Sequence, residues 1–287
     1  MNATSYSSPV DKLLTYGDCR NFRDWPNYLD LGFGPEHVND LIRMATDEAL
    51  NQSESDGLEV WAPIHAWRAL GQLRAESAIA PLVEFFDQVE PDEAWGPSEL
   101  PEVMGMIGPA AIPALAEFLS NPEHTMYPCT YAGDSLAEIG KQHPAVREEC
   151  IRSIVVAVEN FEKNEPDLNG FLIANLLDLK AVEAAPVIER AFAADCVDPT
   201  IAGDWEDVQV EFGLIESRKT ERGYSLFDRL FKDEASEDEE GVVDDDTVGE
   251  PSTIAQNNRK TRKAEKLKIK NKRAMVKKSR RQNRKKK

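Results

Sequence analysis

Apolar residues recur along this chain at helical spacing, in units that repeat. Four segments align: HAWRALGQLRAESAIAPLVEFF from His65, SELPEVMGMIGPAAIPALAEFL from Ser98, TYAGDSLAEIGKQHPAVREECI from Thr130 and GFLIANLLDLKAVEAAPVIERAF from Gly170. Each carries two apolar residues three apart: Leu70/Leu73, Met104/Ile107, Leu136/Ile139 and Leu176/Leu179. Ala66, Leu100, Ala132 and Leu172 stand four residues ahead of them. The spacing i, i+4, i+7 gathers one face of an α-helix. A hinge follows, then a second apolar helix entered through Leu82, Leu115, Ile151 and Ile188. Counted at the last residue of each pair, successive units lie 34, 32 and 40 residues apart. Helix pairs of this size cannot bury both faces alone and must stack on their neighbours. The fold expected is all-α, a right-handed α-solenoid of stacked helix pairs over residues 35–215.

Proline and glycine punctuate the same register. Pro63 and Pro97 stand where a first helix begins and Pro109 where a second one does, positions at which the missing N–H has no helical acceptor anyway. Gly71, Gly108 and Gly140 fall at or near the hinges. Pro81, Pro113 and Pro186 fall inside the second helices on this reading, so they either kink them or mark a later start. Ahead of the repeats, Pro35 to Leu50 reads as one amphipathic helix through Val38, Leu41, Ile42, Ala45 and Ala49. Behind them, Trp205, Val208, Phe212 and Ile215 mark another, with Asp204 as N-cap and Asp207 in its first turn. Solenoid ends expose an apolar face and need atypical caps; these two segments are assigned that role.

The stretch LGQLRAESAIAPL, echoed by MGMIGPAAIPAL, resembles the HEAT-like repeats of phycobilisome lyases and related bacterial proteins over about residues 35–215. The resemblance implies a binding scaffold; an alternative by the same resemblance is a bilin lyase-like enzyme or enzyme subunit. The cysteine-rich zinc tail of some such proteins has no counterpart here, because no cysteine follows Cys196. No metal is carried over.

Charge changes the picture at the C-terminal end. Residues 1–232 hold 41 acids and 17 bases, residues 233–258 ten acids and no base, and residues 259–287 17 bases and one acid, Glu265. The net −18 therefore conceals an acidic body, an acidic linker and a basic tail. Low hydrophobicity and high charge mark the linker and tail as disordered. Between body and linker, within residues 216–232, Tyr224, Leu226, Phe227 and Leu230 share roughly one face, either a short docking helix or a last turn packed on the solenoid.

In the tail, Arg259, Lys260, Arg262, Lys263, Lys266, Lys277, Lys278, Arg280, Arg281, Arg284 and Lys285 are suited to phosphates, whose neutralisation releases counterions without reading sequence. No aromatic residue is interleaved, so base stacking is not expected. RNA, DNA or a ribonucleoprotein is one expected ligand of the tail. The chain's own acidic regions are another, and plain solubilisation a third.

The hydrophobic fraction of 41% suffices for a core in the first 215 or so residues. No apolar run approaches the ~20 residues of a membrane span, and the N-terminus MNATSYSSPVDKLL lacks signal-peptide features. Four cysteines far apart form neither a disulfide framework nor a zinc motif. A cytoplasmic setting is expected.

Catalytic constellations are not found. His37, His65, His124 and His143 are dispersed, and GFGPEH at Gly32 is a turn into a helix, lacking the third glycine and the strand of a dinucleotide loop. Trp61, His65 and Trp67 are a possible groove-lining group; a half-buried helix histidine is the plainer reading of His65. The expectation is a non-catalytic scaffold without a cofactor, holding a protein partner in the solenoid groove.

Overall fold

A computed structural model describes residues 5–22, 24–51, 57–89 and 96–221. Among these residues every regular element is a helix and no strand occurs. The chain divides into two compact units, residues 1–197 and 198–287. The boundary falls within the span 35–215 expected as one array, and the N-terminal segment belongs with the first unit.

In the first unit α1 (Val38–Ala45) and α2 (Glu48–Asn51) precede four helix pairs. These are α3 (Ala62–Gln72) with α4 (Ile79–Phe85), α5 (Gly96–Ile107) with α6 (Ile112–Ser120), α7 (Met126–Gln142) with α8 (Arg147–Val158), and α9 (Pro166–Asp178) with α10 (Ala185–Ala193). The apolar triplets that defined the repeat are interior. Ala66, Leu70, Leu100, Met104, Ala132, Leu136, Ile139, Leu172 and Leu176 expose no surface; Leu73 is half-buried. Packing runs in two rows. In one, α3 meets α5, α5 meets α7 and α7 meets α9; in the other, α4 meets α6, α6 meets α8 and α8 meets α10. Glycine lets the first row close up. A Cβ on Gly133 of α7 would stand 2.9 Å from Leu172 Cδ2 of α9, and one on Gly140 2.8 Å from Leu179 Cδ2.

The three ambiguous prolines mark a later start. Each second helix is entered through a 3-10 turn: Glu76–Ala78, Pro109–Ala111, Pro144–Val146 and Val182–Ala184. Pro113 and Pro186 are then the second residues of α6 and α10, and Pro81 the third of α4, where no intrahelical hydrogen bond is lost. Pro101 lies inside a helix, α5. The expected single helix to Leu50 is broken between Ala45 and Glu48. Asp47 caps α2 by accepting from the Ala49 amide at 3.0 Å, while its other oxygen accepts from the Tyr6 hydroxyl at 2.7 Å.

The described part of the second unit holds α11 (Pro199–Ala202) and α12 (Trp205–Glu211). Asp204 caps α12, accepting from the Asp207 amide at 3.0 Å, as its position in the sequence suggests. The helix stops at Glu211, short of Ile215. Arg218 then returns to its start, donating to both Asp204 oxygens at 2.6 and 2.8 Å and pairing with Asp207 at 2.9 Å. Residues 216–221 carry no helix. The segment Arg222–Phe231, the acidic linker and the basic tail lie outside the described residues.

Among the described residues no single helix is long and apolar enough to cross a membrane. One pair, Glu99–Ile107 with Pro109–Ser120, is apolar enough taken together but is bent by 109°. Its large apolar residues, Leu100, Met104, Ile112 and Leu115 among them, are buried within the protein.

Candidate docking face on the first-helix row

Residues 65, 68 and 72 are polar positions on one face of α3, three and four apart. That face is covered by the N-terminal segment, which folds as 3-10 turns at Val10–Thr15, Cys19–Asn21 and Tyr28–Leu31, with no α-helix before α1 among the described residues. Tyr6, Val10, Leu13, Cys19, Tyr28 and Phe33 anchor it in the interior. Its turns lie against α3 and against a further turn at Leu58–Trp61.

His65 is fully buried. Its Nε2 faces the Gly17 carbonyl at 2.8 Å and its Nδ1 the Tyr28 hydroxyl at 2.6 Å. A carbonyl only accepts, so Nε2 carries the proton and Nδ1 accepts from Tyr28. Burial pushes His65 down to about 4; the Gly17 bond works against that shift, and Arg68 adds to it. Burial likewise pushes Tyr28 up to about 12, with Arg68 pulling the other way. The rings of Tyr16 and Phe22 meet the imidazole edge-on, with centroids at 5.1 and 5.9 Å.

Arg68 is also buried and donates a fork to Glu99 of α5, Nε at 2.8 Å and Nη2 at 2.7 Å. Burial opposes its charge, yet the Glu99 carboxylate holds it above its ordinary value. The guanidinium lies 5.0 Å from the Trp25 ring centroid, and Nη1 has no hydrogen-bond partner. Gln72, the last residue of α3, accepts from the Tyr28 amide and donates to the Pro26 carbonyl, both at 2.7 Å. Thus His65 and Gln72 read main-chain atoms of the N-terminal segment, and Arg68 supports one of its rings.

The group Trp61, His65 and Trp67 does not line one groove. Residues two apart on a helix point about 200° apart, so Trp67 faces away from His65. Trp67 is 2% exposed, and its ring donates to the Ala45 carbonyl of α1 at 2.8 Å and sits beside Phe85 of α4. Trp61 is half-buried under the Arg20 guanidinium at 4.5 Å. The tail residues Arg259 to Lys285 proposed for polyanions lie outside the described residues. Sequence reasoning missed Tyr28, Arg68, Gln72 and Glu99. The signal was present in three polar residues at 65, 68 and 72 on a helix otherwise apolar.

The repeat register carries this face along the row. Arg68 corresponds to Glu102, Asp134 and Ala174, and Gln72 to Met106, Glu138 and Asp178. Among the described residues no segment covers the later positions to the same degree: Glu102 and Asp178 are exposed, and Met106, Asp134, Glu138 and Ala174 are half-buried. Lys141 bridges two of the acids, at 3.5 Å from Glu138 and 3.2 Å from Asp178. Burial would lower Lys141, but Asp178 and Glu138 outweigh it and raise the group.

Among the described residues no cluster of His, Cys, Asp and Glu could hold a metal ion. Cys19, Cys129 and Cys150 are buried, and burial pushes each thiol up to about 11, away from the nucleophilic thiolate. Comparison with protein-family models, curated proteins and solved structures finds no match to this chain.

Proposed function

We propose that the chain is a non-catalytic, cytoplasmic binding scaffold, a right-handed HEAT-like α-solenoid whose groove holds a protein partner. Its tail, residues 259–287, attaches that complex to RNA, DNA or a ribonucleoprotein. The observation that carries the reading is the charge partition: 17 bases and one acid close a chain whose first 232 residues hold 41 acids and 17 bases. A run of that charge binds phosphates in a salt-dependent way.

The two rows of helix contacts support the solenoid part, because stacked pairs bury their faces only through neighbours on each side. The non-catalytic part is supported by what the reactive groups are doing. His65 is held neutral inside the first pair, His143 faces the Gly105 carbonyl at 2.8 Å, and three of the thiols are interior.

The test is a titration of the full chain, and of a version ending at Asn258, against labelled RNA and DNA at several salt concentrations. The full chain should bind with a log–log salt slope of about −0.7 to −0.9 per phosphate neutralised, and the truncated one should not. Equal binding and equal slopes would remove the tail from the proposal.

A further inference from the structure

We infer that the N-terminal segment is an acid-released strap over α3: a proton taken up by His65 frees the segment while the helix pairs stay folded. The inference concerns the first unit alone and does not depend on the tail or on a protein partner.

The first argument is how His65 holds the segment. One imidazole grips it at two points, donating from Nε2 to the Gly17 carbonyl at 2.8 Å and accepting at Nδ1 from the Tyr28 hydroxyl at 2.6 Å. Between those points Phe22 stacks on Tyr16 with centroids 5.6 Å apart, and both rings meet the imidazole. The segment brings little structure of its own to replace these contacts. Its turns close through long amide bonds, Tyr16 to the Leu13 carbonyl at 3.3 Å and Phe22 to the Cys19 carbonyl at 3.4 Å. Short 3-10 pieces have poor hydrogen-bond geometry, and opening such a piece takes less free energy than unfolding the rows beneath it.

The second argument is what a proton does at that spot. Both ring nitrogens then donate. Nε2 keeps its carbonyl, but Nδ1 faces a hydroxyl that must turn its own proton away. The surrounding charges do not settle an imidazolium. Arg68, one turn along α3, acts against it, and Glu99 of α5 is engaged by the Arg68 fork. Asp18 of the segment acts in its favour, yet Arg20 already holds that carboxylate. Tyr16 and Tyr28 offer a ring and a hydroxyl. Opening the strap removes the conflict, because the ring then takes its proton in water.

The size of the effect follows from the two forms. Burial holds the covered His65 down to about 4, against an ordinary 6.5; the Gly17 bond and Asp18 oppose that shift and Arg68 adds to it. Above pH 6.5 the ring is neutral whether the strap is closed or open, and opening does not depend on it. As pH falls from 6.5 towards 4, only the open form takes up the proton, and the population of open strap grows by up to about ten-fold per pH unit. Between pH 7 and 5 the gain is about twenty-fold.

Cys19 reports the opening. It lies on the segment and is 1% exposed, whereas Cys129 and Cys150 are buried on α7 and α8. The full chain is treated with a dipyridyl disulfide, which reacts with thiols in acid as well as at neutral pH, and labelled cysteines are located by mass spectrometry. Rates are taken relative to a short unstructured cysteine peptide under the same conditions. Cys19 should react faster than Cys129 and Cys150 throughout. Its relative rate should stay nearly level from pH 8 to 7 and rise about twenty-fold from pH 7 to 5. In His65→Gln that rise should be absent. Equal rates at the three buried thiols would mean that only global unfolding exposes them, and would overturn the inference. So would a rise in His65→Gln as steep as the parent's. Should that variant fail to fold, the parental profile still decides. A level rate from pH 7 to 5, or a rise beginning only below about pH 4.5 where carboxylates titrate, removes His65 as the trigger.

Discussion

On α3 the positions 65, 68 and 72 are His, Arg and Gln, and all three are engaged with the N-terminal segment or buried beneath it. On α7 the corresponding positions are Tyr131, Asp134 and Glu138, and the two acids reach the surface. One helix row thus uses one register in two ways. Under the cover, charge survives only when its partner arrives with it: Arg68 is interior because Glu99 from the next helix supplies a two-pronged acceptor. In the open, Glu138 and Asp178 share Lys141, and Glu138 also accepts from the Gln142 amide at 3.0 Å. The same kind of ion pair should therefore carry very different weight at the two ends.

The largest effect expected from that contrast is at Glu99. Replacing it, Glu99→Gln, leaves the Arg68 charge buried without its counter-charge, and should destabilise the chain by about 3–5 kcal/mol in denaturant unfolding. Lys141→Ala removes two ion pairs from the open end and should cost below about 1 kcal/mol. Similar losses in the two variants would break the comparison, because burial would then not be what separates the two ends.

Next in size is a pH effect confined to the covered end. The folded His65 sits at about 4, below its ordinary value of 6.5, through burial. Above pH 6.5 the imidazole is neutral folded and unfolded, so its contribution does not change. As pH falls from 6.5 towards 4, the unfolded chain takes up a proton that the folded chain refuses, and stability is lost. The loss levels off below pH 4 at about 3 kcal/mol, with about 2 kcal/mol of it between pH 6.5 and 5. His65→Gln keeps a donor for the Gly17 carbonyl and has no proton to gain. It should be less stable than the parent at pH 7, and should lose about 2 kcal/mol less between pH 6.5 and 5.

The helix pairs were legible because burial and period coincide: Ala66, Leu70, Leu100 and Met104 recur at helical spacing and are wholly interior. The prolines at 81, 113 and 186 were legible only in part. Their place in a first turn depends on a 3-10 entry that apolar spacing does not encode. The N-terminal segment was not legible. Its turns have no period, and its role depends on Gln72 and His65 reaching backbone atoms 44 to 48 residues away in sequence. For the same reason Trp61, His65 and Trp67 read as neighbours, although the helix sends Trp67 to α1 and α4 and His65 to the N-terminal segment. Composition marks a basic tail plainly, because 17 like charges in 29 residues need no fold to be recognised.

The smallest effect tests whether the cover is a separable piece. Gln72→Ala withdraws both hydrogen bonds from the Pro26–Tyr28 main chain, a loss of about 1–2 kcal/mol for partly buried partners. Glu138→Ala, at the matching position on α7, should stay within about 0.5 kcal/mol. Amide hydrogen exchange says where the first loss is felt. The N-terminal segment is built of short 3-10 turns, whereas α3 to α10 brace one another in rows. Segments held by few long-range bonds open before the elements they cover. Gln72→Ala should then speed exchange over the turns from Val10 to Leu31 and leave α5, α7 and α9 at parental rates. Faster exchange along the whole row would mean that cover and repeats unfold as one. In that case the face on α3 would be part of the core, and no longer the occupied half of a surface that α7 and α9 leave open.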